Sequence, residues 1–160
     1  MRLRLGSLLT VVVLSVLSLI LGCGKERGSV EPPPPVAGSG EALYRIKSPD
    51  KTVIALERGK KRAEVPVPPE YKIYDQDLIE NKGDKPAVMH DLQKRHTFNL
   101  APGARLKIGS QAITMFFGST TYEFENIGGE FRIVLPKAAL VIKGTKFQVD
   151  VTENGSAKVQ

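Results

Sequence analysis

The sequence predicts an all-β domain that follows an apolar leader and a flexible linker. From residue 43 onward, short runs alternate apolar and polar residues, a pattern that places one face of each strand in a core and the other in water. Turn-forming pairs such as Pro102-Gly103, Gly109-Ser110 and Gly118-Ser119 separate the runs about every 8–12 residues or somewhat more. No window of a dozen residues after the leader has a helical period. We therefore expect many short antiparallel or solenoid-like strands, layered in a β-helix or a sandwich.

The leader carries the marks of an export signal. Two arginines near the start are followed by an uncharged apolar run, Leu5–Gly22, of 18 residues. A basic n-region, an apolar h-region and a small residue before the cut are typical of secretory signals. The end of the run, Ile20-Leu-Gly-Cys23, resembles a lipobox, at which bacterial lipoproteins are acylated on the cysteine and cleaved before it. Residues 1–22 are thus predicted to be a lipoprotein signal peptide, and Cys23 the lipidated N-terminus.

Two other interpretations of the leader stay open. An 18-residue run is near the lower length limit for a membrane-spanning helix, so it could be an uncleaved anchor, although four serines or threonines and two glycines weaken it. Ordinary secretion is the other. The lone Cys23 has no disulfide partner in the chain, which favours acylation. A residue other than Asp after the lipidated cysteine usually sends Gram-negative lipoproteins to the outer membrane, and Gly24 fits. We expect a lipid anchor on the periplasmic side of the cell envelope.

A linker of distinct composition separates the leader from the β-domain. Residues 23–42 are rich in Gly and Ser and contain four consecutive prolines, so they predict a disordered tether with a stiff polyproline segment. Residues 43–160 form the β-domain. The chain has a net charge of +6, and without the leader 21 Lys+Arg against 17 Asp+Glu leave +4. The one basic cluster, Arg58–Arg62, is predicted to be a solvated loop, with contact to anionic lipids, nucleic acid or a surface polymer as alternatives.

Strands are predicted along the whole domain wherever the alternation holds. The segment Glu64–Glu70 contains three prolines and is predicted to be a loop or a sheet edge, because proline cannot donate to a strand ladder. The predicted strands are Thr52–Leu56, Tyr71–Tyr74, Ala87–Leu92, Thr97–Leu100, Arg105–Ile108, Ala112–Phe117, Thr121–Glu125, Glu130–Leu135, Ala139–Lys143 and Lys146–Val151.

Several of these segments resemble the FecR domain. Asp75–Gly83, Lys85–Asp91 and Thr97–Ile108 resemble its first half, in which an entry strand of the type "GD-x-I-x-T" precedes a strand, a turn and an "l-x-L-x-P-x-S-x-L-x-I" stretch. Ile133–Lys137 followed by Ala138–Val151 resembles its "vrGT-x-F-x-V" strand pair, which follows a short proline-containing turn. The likeness covers roughly residues 50–160.

The most specific part of the resemblance is the run from Gly144 to Val149. Its motif residues Gly144, Thr145, Phe147 and Val149 are predicted to be structural, since a glycine between two strands permits a positive φ or a close backbone approach. The chain departs from the family pattern at Gln76-Asp77, where Gly-Asp is usual, and in place of the Asp-Gly turn before Thr97. Because the family module usually continues further, the β-domain is expected to be either a module shortened at its C-terminal end or a fragment of a longer one.

No catalytic or metal-binding motif is found in the sequence. His90 and His96 are the only histidines, and no usable cysteine completes a metal site with them. Asp75 and Asp77 would share a face of a continuous strand, but turn or loop carboxylates are the better interpretation. Nucleophile-elbow, dinucleotide and P-loop spacings are absent. We therefore expect no enzyme, no cofactor, no metal and no nucleic-acid partner.

Together these features predict a membrane-anchored envelope lipoprotein that presents a FecR-like β-domain as a non-catalytic binding or scaffolding module. Its expected partners are the lipid bilayer, through acylated Cys23, and another envelope protein. Two alternatives stay open. One is a periplasmic sensor or regulatory component of a FecR-type transmembrane signalling system, as the family resemblance implies. The other is a protein that binds the cell wall or a surface polymer through Arg58–Arg62.

Overall fold

A computed structural model describes residues 40–48, 52–67, 70–92, 95–125, 130–143 and 145–160. Within these ranges the regular structure is strand throughout, which confirms the all-β class. The predicted signal peptide, Cys23 and most of the linker lie outside the described residues. The strands are β1 (Tyr44–Lys47), β2 (Thr52–Arg58), β3 (Lys61–Val67), β4 (Tyr71–Ile73), β5 (Leu78–Asn81), β6 (Ala87–Asp91), β7 (His96–Leu100), β8 (Arg105–Ile108), β9 (Ala112–Phe124), β10 (Phe131–Leu135), β11 (Ala138–Ile142), β12 (Thr145–Val151) and β13 (Ala157–Val159).

The strands form two sheets that share β9. Sheet A has the order β4-β1-β6-β7-β9-β12-β13, and sheet B the order β3-β2-β5-β8-β9-β10-β11. The described pairings are antiparallel, except that β9 and β10 run parallel. Because the chain passes repeatedly from one sheet to the other, both sheets cover one core. Strand β9 joins the two sheets into one large, nearly barrel-shaped body.

Strand β9 changes sheets at a bend around Gly118. Its first part pairs with β8 in sheet B, and its second part pairs with β7 in sheet A. Gly118 has a φ of 95°, and a Cβ at this position would lie 2.5 Å from Cα of Ala104. The turn predicted at Gly118-Ser119 is therefore wrong. Gly118 lies at a bend within one strand, where the backbone of Ala104 comes too close for a side chain to fit.

The core lies between the sheets and is rich in aromatic rings. Phe98 and Phe124 of sheet A contact Phe131 of sheet B, with ring centroids 6.3 and 5.3 Å apart. The Tyr122 hydroxyl donates to Sδ of Met115 over 3.6 Å, so the two halves of β9 also meet inside. The apolar positions of the predicted alternation are buried in these strands, with two exceptions. Phe117, at the bend, is 37% exposed, and Phe147 is half-buried.

Most predicted strands are present, and the exceptions are instructive. The strands predicted on either side of Gly118 are the single strand β9. The short strands β1, β5 and β13 were not predicted. The prediction of a sheet edge for Glu64–Glu70 is confirmed for Glu64–Val67, which belongs to β3, the end strand of sheet B. Pro66 is tolerated there because an edge strand has one side without a ladder.

Candidate binding site

The residues singled out as a family motif lie at the start of β12. Cys23 and Gly144 are outside the described residues. Thr145 opens the strand, Phe147 stacks on the aromatic core, and Val149 is fully buried. These positions form part of the wall between the core and the last two strands. Their structural role and the lipidation of Cys23 stay predictions.

The two histidines lie on the neighbouring strands β6 and β7. His90 Nδ1 is 3.0 Å from the Thr97 hydroxyl. His96 is buried with three phenylalanine rings whose centroids lie 5.0–6.3 Å away, and neither of its ring nitrogens has a hydrogen-bond partner in the described part of the chain. Burial lowers the pKa of His96, although the neighbouring Asp91 carboxylate opposes this shift. His96 therefore packs as a neutral ring at neutral pH.

The predicted carboxylates lie in the turn between β4 and β5. Asp75 accepts a hydrogen bond from the backbone N–H of Ser110 over 3.2 Å. Asp77 is fully buried and accepts hydrogen bonds from Nε and Nη2 of Arg58, over 2.8 and 2.7 Å. It also accepts the backbone N–H of Tyr74. Both are turn carboxylates, and Asp77 is committed to a buried ion pair.

The same ion pair corrects the interpretation of the basic cluster. A solvated loop was expected for Arg58–Arg62, but Arg58 is 5% exposed and its guanidinium lies 4.5 Å from the centroid of the Tyr74 ring. Arg58 ends β2, where the alternation places its side chain on the inner face. The exposed cations are Lys60, Lys61 and Arg62, and the last pairs with Glu80. The surface available to an anionic polymer is correspondingly smaller.

One side of the body ends in two strands that each have a single partner among the described residues. In sheet B, β11 pairs with β10, and in sheet A, β13 pairs with β12. An edge strand directs every second pair of backbone N–H and C=O groups away from its neighbour. These outward groups are available to another strand.

An apolar groove of about 530 Å³ lies between these two edges. Leu140 and Ile142 of β11 form its inner wall and pack against the core, while Val141 and Val159 are 52% and 48% exposed. Phe147 of β12 closes the floor. Half-exposed apolar side chains beside unpaired backbone groups are the combination that an added strand would cover.

The ends of β11 are basic. Lys137 precedes the strand and Lys143 follows it, with five uncharged residues between them. Both lysines are exposed, and neither has an acidic partner within the described ranges. Lys137 donates to the backbone C=O of Asn154 over 3.0 Å. The apolar edge is therefore framed by two positive charges.

A second concavity, of about 700 Å³, lies at the start of the β12–β13 turn. Its principal charged group, Asp150, accepts hydrogen bonds from the side chains of Gln148 and Gln160. Hydrogen bonds from Ser119 and Gln148 lower the pKa of Asp150. Since these bonds already engage the carboxylate, this concavity is a weaker binding candidate than the apolar groove.

Neither a metal site nor a membrane-spanning helix is found where the chain is described. Among those residues, no three His, Cys, Asp or Glu side chains are grouped so that they could hold a metal ion. The same residues include no helix with the length and apolar character needed to cross a bilayer.

The described residues define the protein at the level of a class: an all-β domain in which β11 and β13 border an apolar groove. Comparison with known proteins does not narrow this class, because no family model, no curated protein and no solved structure matches the chain.

Proposed function

We propose that this protein is a membrane-anchored envelope lipoprotein whose β-domain is a non-catalytic module that binds another envelope protein. The observation that carries the proposal is the open edge formed by β11 and β13. Its apolar groove adjoins backbone hydrogen-bonding groups that the described fold leaves available. A surface of this kind suits protein recognition, because it offers both apolar contact and a ladder.

The position of the edge is compatible with an N-terminal lipid anchor. The chain enters sheet A at β1, and β13 lies five strand intervals away in that sheet. At about 4.8 Å per interval, the path along the sheet is roughly 24 Å. Four strands of sheet A therefore lie between β1 and β13.

The FecR resemblance is part of this proposal and is supported by one backbone feature. Gln76 has a φ of 66°, the only positive φ of a non-glycine residue in the described segments. It occupies the place of the glycine in the family's Gly-Asp entry, where a left-handed backbone favours glycine. The following Asp77 and the apolar Ile79 are both fully buried. The positive φ of Gln76 is compatible with a position at which a glycine is usual.

Metabolic labelling of cells with an alkyne analogue of palmitate tests the anchor. The wild-type protein is expected to carry the label and to fractionate with membranes, whereas Cys23→Ala should lose both properties. Absence of label from the wild type, or label that persists in Cys23→Ala, would contradict lipidation.

Photo-crosslinking in living cells tests the binding surface. A photoreactive amino acid at Val141, in the groove, is expected to give a discrete adduct with another protein. The matched control is Val53, which is 37% exposed on β2 of the same sheet and should give none. Equal adducts at both positions would show that the groove is not the binding surface.

A further inference from the structure

The groove and its two lysines specify what kind of segment would fit the open edge. We propose that β11 binds an extended, apolar strand of a partner protein, flanked by two acidic residues six positions apart. The proposal rests on the proposed function and adds the chemistry of the partner. It follows from three features of β11: its unpaired side, its composition and the charges at its ends.

The backbone of β11 can accept an antiparallel strand along its whole length. It spans Ala138–Ile142 and pairs with β10 on one side only, as far as the chain is described. It contains no proline and no charged residue, the devices with which natural edge strands avoid pairing. The other end of sheet B does have them: β3 carries Pro66 and the exposed charges of Lys61, Arg62 and Glu64. One sheet therefore has a protected edge and an unprotected one.

The groove requires apolar side chains on the incoming strand. Alternate residues of an added strand would point toward the core side, above Leu140 and Ile142, and reach the space that Val159 borders. The residues between them would face solvent beside Val141. An alternation of valine-like and threonine-like residues meets both requirements.

The lysines fix the charge and spacing of the flanks. In an antiparallel strand centred on Leu140, the two residues opposite Lys137 and Lys143 are six positions apart. Opposite charges that face each other across strands attract, and like charges repel. Acidic residues at those two positions would complete ion pairs with both lysines. A strand with the same apolar centre but with lysines at those two positions would bind more weakly, because its lysines would repel Lys137 and Lys143.

The same geometry disfavours a second copy of this chain as the occupant. If two β11 strands paired about Leu140, Lys137 of one copy would face Lys143 of the other at both ends. Two like-charge contacts would then frame the pairing. Charge complementarity thus selects a different, acidic-flanked strand.

Titration of the full-length protein, purified in detergent, with labelled nine-residue peptides tests this inference. The first peptide, Ser-Glu-Val-Thr-Val-Thr-Val-Glu-Ser, has its acidic residues six apart. The second has lysine in place of both glutamates. We expect the first to bind roughly tenfold more tightly, since each exposed pair contributes modestly. Hydrogen exchange should slow at amides of β11 and remain unchanged in β3.

A charge-reversed variant supplies the decisive comparison. The double variant Lys137→Glu and Lys143→Glu should bind the acidic peptide about tenfold more weakly than the wild type, and the lysine-flanked peptide more tightly by a similar factor. The matched control, Lys60→Glu with Lys61→Glu in the β2–β3 hairpin, should leave both affinities unchanged. Val141→Asp, at an exposed position, should weaken the acidic peptide at least tenfold while the melting temperature stays close to that of the wild type.

Several outcomes would overturn the inference. Equal affinities for the two peptides, or slowed hydrogen exchange at amides outside β11 instead of within it, would contradict binding by strand pairing with β11. Concentration-dependent dimers that lack peptide binding would identify a second copy as the occupant. A tenfold gain in peptide affinity on deletion of residues 31–38 would identify the linker as the occupant. If palmitate labelling and the Val141 crosslink persist in such a case, the anchored binding module stands and only the partner's chemistry is wrong.

Discussion

The two end strands of sheet B differ in how they meet solvent. Strand β3 contains several exposed charged residues and Pro66. Next to it, the buried ion pair between Arg58 and Asp77 links the end of β2 to the β4–β5 turn. Strand β11 is wholly apolar, and besides its ladder with β10 it is held by the packing of Leu140 and Ile142 against the core. Both lie at an edge, so position alone does not explain the difference. This contrast between the two ends of sheet B is the basis of the proposal that β11 binds a partner strand.

The largest change in the free energy of unfolding should come from loss of the buried ion pair between Arg58 and Asp77. Asp77→Ala is expected to lower the free energy of unfolding by about 3–5 kcal/mol, because it leaves the buried Arg58 guanidinium without its carboxylate. Chemical denaturation monitored by circular dichroism would measure the loss.

The control for this variant lies on the surface nearby. Arg62→Ala removes a pair with Glu80 in which the arginine side chain is 51% exposed, and it should cost less than about 1 kcal/mol. If the two variants lose similar amounts of stability, the buried pair does not fasten this end of the sheet.

The next effect concerns the bend in β9, the strand that lies between β8 and β10 in sheet B. Gly118→Ala should destabilise by about 2–3 kcal/mol, because it combines a positive φ with a Cβ only 2.5 Å from Cα of Ala104. Gly103→Ala is the matched control, since its φ is also positive, at 80°, but the nearest atom to an added Cβ is 3.8 Å away. The difference between the two unfolding free energies isolates the steric term. Equal losses would mean that the backbone conformation accounts for the whole cost.

A third effect belongs to the open side and depends on pH. His96 packs against Phe131 of β10, the strand that supports β11. Because burial lowers its pKa, the unfolded chain takes up the proton first, so stability from this group is complete above about pH 6.5 and falls as the pH drops below that value. Asp91 opposes the shift and Arg95 adds to it.

His96→Phe should remove this acid-side loss, since a phenylalanine ring suits the surrounding aromatic rings and takes up no proton. Unfolding curves between pH 5 and 8 would show a flatter stability profile, and hydrogen exchange at pH 5 would show slower opening of β10 and β11. A variant profile that still falls as steeply as the wild type would assign the pH dependence to other groups.

Period-two alternation was enough to predict the class and most strands, because burying one face of a strand leaves that signal directly in the sequence. It could not distinguish β3 from β11, since which strand ends a sheet depends on pairing between distant segments. It also predicted a turn at Gly118, although the constraint there is the close approach of Ala104, which lies just before β8.

The candidate site was less predictable than the fold. Leu140 and Val141 lie in a predicted strand and Val159 lies in none. The exposure of Val141 and Val159 follows from the absence of a further strand beyond β11 and β13 in the described fold. A usable signal was the uncharged run between Lys137 and Lys143, which contrasts with the charges and proline of Lys61–Val67. Arg58 was misjudged because its neighbours in sequence are solvated, whereas its partner Asp77 comes from the β4–β5 turn.

The smallest effect on folding should come from the open edge itself. Val141→Thr changes one methyl to a hydroxyl on a side chain that is 52% exposed, and threonine keeps the strand preference of valine. The free energy of unfolding is expected to change by less than about 0.5 kcal/mol. Leu140→Thr, one residue earlier but packed against the core, should cost clearly more in the same denaturation experiment. If Val141→Thr were as costly as Leu140→Thr, the outer face of β11 would already be covered within the chain, and the contrast between the two edges of sheet B would disappear.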